Sequence, residues 1–202
     1  MPSFSEQHPR ESRIRIVVGV TGASGSVYGW RLLEKLRSRE DAEIHLILTR
    51  SGERTAFLEM GKNSADFKAL ADCSYPVEDI GCRLASGSFE TAGMVIAPCS
   101  IHTMSAIASG ISSNLVIRAA DVTLKERRRL VLMVRESPLH LGHLRSMTAL
   151  AEMGAILAPP MPAFYHHPKS VDEIVEHSVD RVLDLIGLPS TGARRWNGPE
   201  RA

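Results

Sequence analysis

The sequence has few cysteines, almost no net charge and no long apolar run. Its 24 Lys and Arg residues nearly balance 23 Asp and Glu residues, which argues against a general nucleic-acid or membrane-surface binder, since both need excess positive charge. The three cysteines contain no CxxC motif and cannot all pair with one another, so they indicate a reducing cytoplasmic location. No apolar run is long enough to span a bilayer, and residues 1–12 lack the apolar core of a signal peptide.

What the sequence does contain is an alternation of strand-like and helix-like segments. A chain of 202 residues with 44% hydrophobic content can form one domain with a sizeable core. The alternation predicts a mainly parallel sheet with helices on both faces and ligands beyond the carboxyl ends of the strands. The predicted strands are 14–20, 43–49, 93–98, 130–134 and 155–158; the helices after the first unit are 51–60, 65–71, 100–109, 115–127, 139–153 and 170–186.

A loop of small residues, 21–26, joins the first strand to the first helix. Its glycines permit close approach of a ligand, and N–H groups at a helix N-terminus attract anions. The glycine spacing differs from the dinucleotide fingerprint, and the second strand ends in Thr49 rather than in an acidic residue. The loop therefore favours a mononucleotide phosphate over NAD, and a turn needed only for packing is the alternative.

A second loop of the same kind follows the third strand. Ser100 and Thr103 place hydroxyl groups at a helix N-terminus, as Ser24 does in the first loop. Two such loops on adjacent strand ends can hold two parts of one ligand. Cys99 is interpreted as a small buried residue rather than a nucleophile, and His102 as a pocket-lining residue rather than a general base.

Basic residues concentrate in the second half of the chain. Arg118 and Lys125 are seven residues apart, so both can emerge on one face of a helix. Arg135 and Glu136 follow the fourth strand, where they can form a structural ion pair or can bind phosphate and move protons. The run 126–129 is typical of a solvated helix end.

The segment 159–170 contains four prolines and two aromatic residues, too rigid and apolar for a linker, and Tyr165 is the polar tip of a predicted pocket wall. Arg181 is placed on the exposed side of the last helix. No metal site is expected, because adjacent histidines point apart and no Cys or carboxylate completes a ligand set. The histidines concerned are His140, His143, His166 and His167.

Four segments, taken together, resemble the flavin prenyltransferases of the UbiX type. They are TGASG, APCSIHTMSAIASGISSNLVIRAADVTLKERR, LVLMVRESP and PAFYHHPKSVDEIV. The resemblance runs from about Arg13 to Leu188, nearly without gaps. It implies a flavodoxin-like (Rossmann-like) α/β domain over 13–188 that binds FMN, between a flexible arm at 1–12 and a tail at 189–202. It also implies a homo-oligomer, usually a dodecamer, with sites at subunit junctions.

The resemblance further implies a reaction and its partners. Without a metal, reduced FMN is alkylated at N5 by dimethylallyl phosphate, and ring closure onto C6 gives prenylated FMN. That product is the cofactor of UbiD-type decarboxylases.

Residue roles are carried over from the family position by position. The implied FMN-binding residues are Gly22, Ala23, Ser24, Thr49, Ser100, Ile101, His102, Thr103 and Arg135. The implied donor-binding residues are Tyr165, Arg181, Arg118 and Lys125, whose charges and hydroxyl suit a departing phosphate. The implied catalytic residues are Glu136, which handles the proton lost on ring closure, with Ser24 near the reacting flavin nitrogen, Lys125 and Glu59.

Two other functions stay open from the sequence. An FMN-dependent peptidyl-cysteine decarboxylase would use a histidine early in the chain, and none lies between His8 and His45. A non-catalytic FMN-binding accessory subunit of a decarboxylase would bind FMN without forming product. The presence of Lys125, Arg135 and Glu136 argues against that function.

Overall fold

A computed structural model describes residues 13–190 and Gly198. The strands are β1 (Ile14–Val20), β2 (Ala42–Leu48), β3 (Cys73–Tyr75), β4 (Gly93–Cys99), β5 (Arg129–Val134) and β6 (Ile156–Leu157). The helices are α1 (Ser26–Arg37), α2 (Arg50–Met60), α3 (Ser64–Ala69), α4 (Ile101–Ala108), α5 (Leu115–Lys125), α6 (Leu141–Glu152) and α7 (Val171–Ile186). The predicted arm at 1–12 and positions 191–197 and 199–202 of the predicted tail lie outside the described residues.

The six strands form one parallel sheet in the order β3-β2-β1-β4-β5-β6. After β1 the chain builds outward to one side through β2 and β3, and it then returns to place β4 on the other side of β1. Such a reversal opens a crevice beyond the carboxyl ends of the two strands at the switch point, here β1 and β4. The observed sheet confirms the predicted α/β fold class.

Large apolar side chains cover both faces of the sheet and hold the helices against it. On one face, α1 and α7 bury residues at helical spacing; on the other, α4 and α5 do the same. Each large side chain buried in this way contributes roughly 1.5–3 kcal/mol. The buried residues include Leu32, Leu33 and Leu36 of α1, Val175, Val179 and Val182 of α7, Met104 of α4 and Val116 of α5. None of the described helices combines the length and the apolar character that crossing a membrane requires.

Two features differ from the sequence-based expectations. The short edge strand β3 was not predicted, because three residues beside Pro76 carry too little periodicity to distinguish a strand from a turn. The run 126–129 is not only a solvated helix end: α5 stops at Lys125, and Arg129 begins β5. Arg128 donates to the carbonyl oxygens of Gly87 at 2.7 Å and Phe89 at 2.9 Å, so it fixes the loop that enters β4.

Candidate active site

One buried hydroxyl joins the two strand ends at the switch point. Thr21 directly follows β1 and is 1% exposed. Its Oγ1 donates to the carbonyl oxygen of Pro98 at 2.7 Å and accepts from the N–H of Ser100 at 2.8 Å. This side chain therefore sets the distance between the loop after β1 and the loop after β4. Thr21 was not among the predicted site residues, although the sequence places it between a predicted buried strand and Gly22.

A cleft of about 470 Å³ lies beyond these strand ends. Three segments line it: 22–24 after β1, 100–102 after β4 and 135–137 after β5. The first two are the loops that were predicted to share one ligand, and the third adds a residue pair of opposite charge. The predicted site residues that line the cleft are Gly22, Ala23, Ser24, Ser100, Ile101, His102, Arg135 and Glu136.

Arg135 and Glu136 bring one group of each charge to the cleft without pairing with each other. Among the described residues, the guanidinium of Arg135 makes one hydrogen bond, from Nε to the carbonyl oxygen of Ser24 at 3.2 Å. Its terminal N–H groups remain available to an anion or a carbonyl of a ligand. The carboxylate of Glu136 accepts from the N–H of Ser137 at 2.9 Å. Of the two interpretations of this pair, the structural ion pair is not formed.

Glu59, at the end of α2, occupies the N-terminus of α1. Its carboxylate accepts from the N–H of Gly25 at 3.1 Å and from the N–H of Ser26 at 2.9 Å. Gly25 has φ 99°, a left-handed conformation that favours glycine and turns its N–H toward Glu59. These two amides are therefore not available to a ligand phosphate, contrary to the simplest expectation from the loop sequence. An internal anion already stabilises the helix dipole there.

The pKa of Glu59 reflects this position. Partial burial by itself would raise the pKa of the carboxyl, but hydrogen bonds from the Ser24 hydroxyl and from the N–H groups of Ser26 and Gly25 outweigh burial and lower it. The carboxylate is thus charged at neutral pH and holds the first loop from behind. Ser24 and Glu59, both predicted to be catalytic, are brought together.

Two residues predicted to bind FMN support the loops rather than line the cleft. Thr49 begins α2: its Oγ1 accepts from the N–H of Gly52 at 3.0 Å and reaches the carbonyl oxygen of Val20 at 3.2 Å. A Cβ on Gly22 would lie 2.5 Å from Cβ of Ser51, so glycine is needed for the first loop to pack against this turn. Thr103 is 4% exposed and its hydroxyl accepts from Oγ of Ser100 at 3.1 Å.

Cys99 is a packing residue, as interpreted from the sequence. Its side chain is fully buried, and burial raises the pKa of the thiol to about 12. At that value the thiol stays protonated and is a poor nucleophile. His102, by contrast, is exposed and lines the cleft, as expected.

Tyr165 and Arg181 both neighbour His177, and neither is among the residues that line the cleft. The ring of Tyr165 is 6.0 Å from that of His177, and Arg181 follows His177 by one turn of α7. Burial and the neighbouring His166 lower the pKa of His177; Asp180 opposes this shift and Arg181 adds to it. The Arg181 side chain is 64% exposed, 4.0 Å from Asp184, which confirms its predicted position on the exposed side of the helix.

Arg118 and Lys125 share one face of α5, as their spacing predicted. Arg118 donates to the carbonyl oxygen of Ala85 at 3.2 Å and pairs with Asp121 at 2.7 Å. Lys125 pairs with Glu126, and its Nζ would lie 2.8 Å from a Cβ on Gly87. Because α5 leads directly into β5, its last residue lies toward the amino ends of the strands. The fold therefore does not bring Lys125 into the cleft of its own chain.

A second cavity, of about 280 Å³, lies between α1, α7 and the segment that carries Tyr165. Its lysine is already paired, because Nζ of Lys35 is 2.6 Å from Glu176 and 2.5 Å from Asp180. Burial would lower the pKa of Lys35, but hydrogen bonds to both carboxylates raise it above its usual value. Since the lysine is neutralised internally, this cavity suits a phosphate ligand less well than the cleft does.

The cleft fits a flavin mononucleotide in size and in chemistry. Its volume is within the range of about 300–1,000 Å³ that small-ligand sites have. The small residues at 22–24 let a ring approach the backbone, the first N–H groups of α4 have no intrahelical partner, and Arg135 supplies a cation.

Comparisons with known proteins agree with this assignment. A family model described as Flavoprotein matches residues 4–183. The chain is 54% identical to the flavin prenyltransferase UbiX of Thauera aromatica over 187 residues, which are 93% of this chain and 96% of that protein.

Two solved structures are also similar. One is the dodecameric FMN-dependent Ubix-like decarboxylase from Escherichia coli O157:H7, with TM-score 0.89, 48% identity and coverage of 92% of this chain and 100% of that chain. The other is AnUbiX (PadA1) in complex with FMN and dimethylallyl pyrophosphate, with TM-score 0.90, 44% identity and coverage of 93% and 100%.

Proposed function

The chain belongs to the UbiX-type flavin prenyltransferases of the Flavoprotein family, and we propose that its cleft at the β1/β4 switch point is where the transfer takes place. The reaction joins the dimethylallyl group of dimethylallyl phosphate to N5 and C6 of reduced FMN and gives prenylated FMN. Reduced FMN supplies the two nucleophilic ring positions. The protein must hold both substrates, neutralise the departing phosphate and accept a proton.

One observation carries this proposal: the loops 22–24 and 100–102 and the pair Arg135–Glu136 converge on a single cleft, in a chain more than half identical to a curated flavin prenyltransferase. The peptidyl-cysteine decarboxylase EpiD, which represents the other enzymatic alternative, matches with TM-score 0.62 but only 14% identity, a likeness that shows the fold alone. An accessory subunit without catalysis would have no use for an unpaired carboxylate in the cleft.

The flavin-binding residues act through backbone and charge. Gly22, Ala23 and Ser24 form a loop without bulky side chains, so a flat ring can lie against it. Glu59 keeps Ser24 and the N–H groups behind it in place. Arg135, already anchored to the Ser24 carbonyl oxygen, directs its remaining donors into the cleft. Thr49 and Thr103 contribute by fixing the two loops from beneath.

The donor-binding residues come from other chains of a homo-oligomer in this proposal. Arg118 and Lys125 lie on α5, and Arg181 lies on α7 with Tyr165 near that helix. None of the four lines the cleft within one chain. A phosphate that leaves an allylic carbon needs several positive groups at once, because a dianion departs from a developing cation. Assembly at subunit junctions would bring these groups to the cleft.

Glu136 is assigned the proton. It lines the cleft beside Arg135 and its carboxylate has one hydrogen bond, from the N–H of Ser137. Its second oxygen can accept the proton that is lost when the new ring closes. The recipient of the product is a UbiD-type decarboxylase in this proposal. The FMN-binding domain comprises residues 13–188.

Activation of a recipient decarboxylase tests this function. The full reaction, with reduced FMN and dimethylallyl phosphate, is filtered, and the filtrate is added to a cofactor-free UbiD-type decarboxylase. We expect decarboxylation only with that filtrate, and none when the donor is omitted. Activation by neither filtrate, with a known flavin prenyltransferase effective in a parallel reaction, would instead indicate FMN binding without prenyl transfer.

A further inference from the structure

Three metal-ligating side chains meet on one face of the sheet, at the edge formed by β2 and β3. His45 of β2 is the register partner of Cys73 of β3, and Glu43 precedes His45 by two residues. Since side chains alternate along a strand, all three point to the same face. A carboxylate oxygen of Glu43, a ring nitrogen of His45 and Sγ of Cys73 all lie within 4.8 Å of one another. No other group of three such side chains occurs among residues 13–190.

His45 has an unusual environment for an imidazole. Its side chain is fully buried, and Nε2 lies 3.1 Å from Oε1 of Glu43. The angle of this contact is not that of a well-formed hydrogen bond, so the buried Nε2 makes none within the part of the chain that the structure describes. Buried polar atoms without a partner are rare in folded proteins, and an ion is one of the groups that satisfy them.

Neighbouring residues contact Glu43 and His45 in the way that usually orients metal-ligating side chains. Nδ1 of His45 is 2.9 Å from the hydroxyl oxygen of Tyr75, so the tautomer with its proton on Nδ1 can donate there while Nε2 ligates. Oε2 of Glu43 accepts from Nε of Arg15 at 3.3 Å, which leaves Oε1 facing His45.

We propose that Glu43, His45 and Cys73 bind one zinc ion, with a water molecule as the fourth ligand. Sulfur, imidazole nitrogen and carboxylate oxygen are the donors that zinc takes in proteins, and at tetrahedral bond lengths neighbouring donors are about 3.3–3.6 Å apart. The 3.1 Å between Nε2 and Oε1 is close to that spacing. Cys73 and Glu43 are partly exposed. Rotation of their side chains can therefore bring the remaining donor–donor distances to those of a tetrahedral site.

Charge also favours zinc over magnesium or calcium at this site. Arg15 and Arg83 both lie near the group, over the ring of Phe89 at 4.9 and 5.5 Å, and they oppose a bare divalent ion. Zinc displaces the proton of the Cys73 thiol, and the unit of zinc, thiolate and carboxylate then carries no net charge. Magnesium or calcium, which prefer oxygen ligands, would not gain from the sulfur.

The site is separate from the prenyl-transfer chemistry. The cleft lies beyond the carboxyl ends of the strands, whereas Glu43 and Cys73 stand near the amino ends of β2 and β3. A zinc ion here would tie the three-residue edge strand β3 to β2. Its expected effect is on stability, and chelation is expected to leave prenyl transfer unchanged.

Zinc and cobalt binding to the full-length, untagged, chelator-treated protein tests the proposal. We expect one equivalent of Zn²⁺ in competition with a chromophoric chelator. Co²⁺, used as a spectroscopic probe, should give a thiolate charge-transfer band together with tetrahedral d–d absorption. Cys73→Ser should abolish the band. Glu43→Gln, which removes a ligand carboxylate, should weaken zinc binding by at least the roughly 10–100-fold that loss of an outer-shell partner costs. Both side chains are partly exposed, so these variants keep the buried His45 intact.

Cys82→Ser is the matched control, since Cys82 is also a free and partly exposed cysteine, and it should retain both band and affinity. The proposal is overturned if the unaltered protein does not compete for zinc, or if Cys73→Ser binds cobalt with an unchanged spectrum. Loss of the band in Cys82→Ser alone would also overturn it, because a different thiol would then be the ligand. Prenyl transfer measured on the same metal-free sample separates this outcome from failure of the proposed function.

Discussion

The hydroxyl of Thr21 lies 2.7 Å from the carbonyl oxygen of Pro98, so the end of β1 is tied to the end of β4 by a side chain. The same oxygen accepts from Ser100 at 2.8 Å. Both loops of the cleft therefore depend on one buried group that does not itself line the cleft. Such a residue acts on ligand binding through position rather than contact.

Replacing Thr21 by Val tests this dependence. Val keeps the shape of Thr but leaves the Ser100 N–H without its partner, while the Pro98 carbonyl oxygen keeps only the bond from the N–H of residue 21 at 3.3 Å. The loss should destabilise the fold by about 1–3 kcal/mol. We expect weaker FMN binding as well, because the two loops are no longer held at a fixed distance. Urea unfolding and FMN titration measure the two effects.

Thr148→Val is the matched control, because within residues 13–190 the Thr148 hydroxyl bonds only to the carbonyl oxygen of Leu144, in an exposed turn of α6. It should change stability by less than about 0.5 kcal/mol and leave FMN affinity unchanged. If Thr21→Val bound FMN as tightly as the unaltered protein, the loops would not need this link.

The charge of Glu59 makes stability depend on pH. The pKa of Glu59 is lower in the folded protein than in the unfolded chain, so its contribution is present above the unfolded pKa and is lost as pH falls through the folded value. We expect Glu59→Gln to cost about 0.3–1 kcal/mol at neutral pH, typical of an anion at an exposed helix N-terminus. Chemical unfolding at several pH values below neutral should show the difference from the unaltered protein shrinking with acidity.

Glu40→Gln, in the exposed turn after α1, is the control and should show no such pH-dependent difference. A Glu59→Gln penalty that stayed constant into the acid range would mean that shape, and not charge, is what the carboxylate provides.

The long and periodic elements could be predicted from the sequence. β1 with its small-residue loop, β4 with its hydroxyl loop and the apolar face of α7 follow from local patterns. The predicted site residues of the first two loops, except Thr103, line one cleft. Contacts between residues far apart in the sequence could not be predicted. Glu59 and Gly25 are 34 residues apart and Thr21 and Pro98 are 77 apart, and no local pattern records such pairs. The same limit hid the pairing of Cys73 with His45, which depends on an edge strand of three residues.

Arg181→Ala should separate donor binding from flavin binding. We expect the KM for dimethylallyl phosphate to rise roughly 10–100-fold, as when a charged hydrogen bond is removed, with FMN affinity little changed. Arg145→Ala, on the exposed surface of α6, should alter neither. Equal losses in donor and flavin binding in Arg181→Ala would contradict the assigned role.

The distribution of cations over the chain predicts complementation between two impaired variants, measured at a donor concentration well below the raised KM. Arg135→Ala removes a group from the cleft, and Arg181→Ala removes one that reaches a cleft only from another chain in the proposed assembly. Co-assembly of equal amounts should restore about a quarter of the sites, since a symmetric oligomer combines chains at random at each junction. Activity of mixed and unmixed preparations is compared at equal protein concentration. No recovery on mixing would place both residues in one chain's site.

The mass of the flavin after reaction tests the central claim most directly. Purified protein is incubated anaerobically with reduced FMN and dimethylallyl phosphate. The flavin is then extracted and its mass is measured by mass spectrometry. A parallel reaction with a known flavin prenyltransferase serves as the positive control. The account predicts a flavin heavier by one five-carbon unit, formed only when both protein and donor are present. A flavin of unchanged mass, with the reference enzyme active in the same buffer, would contradict it.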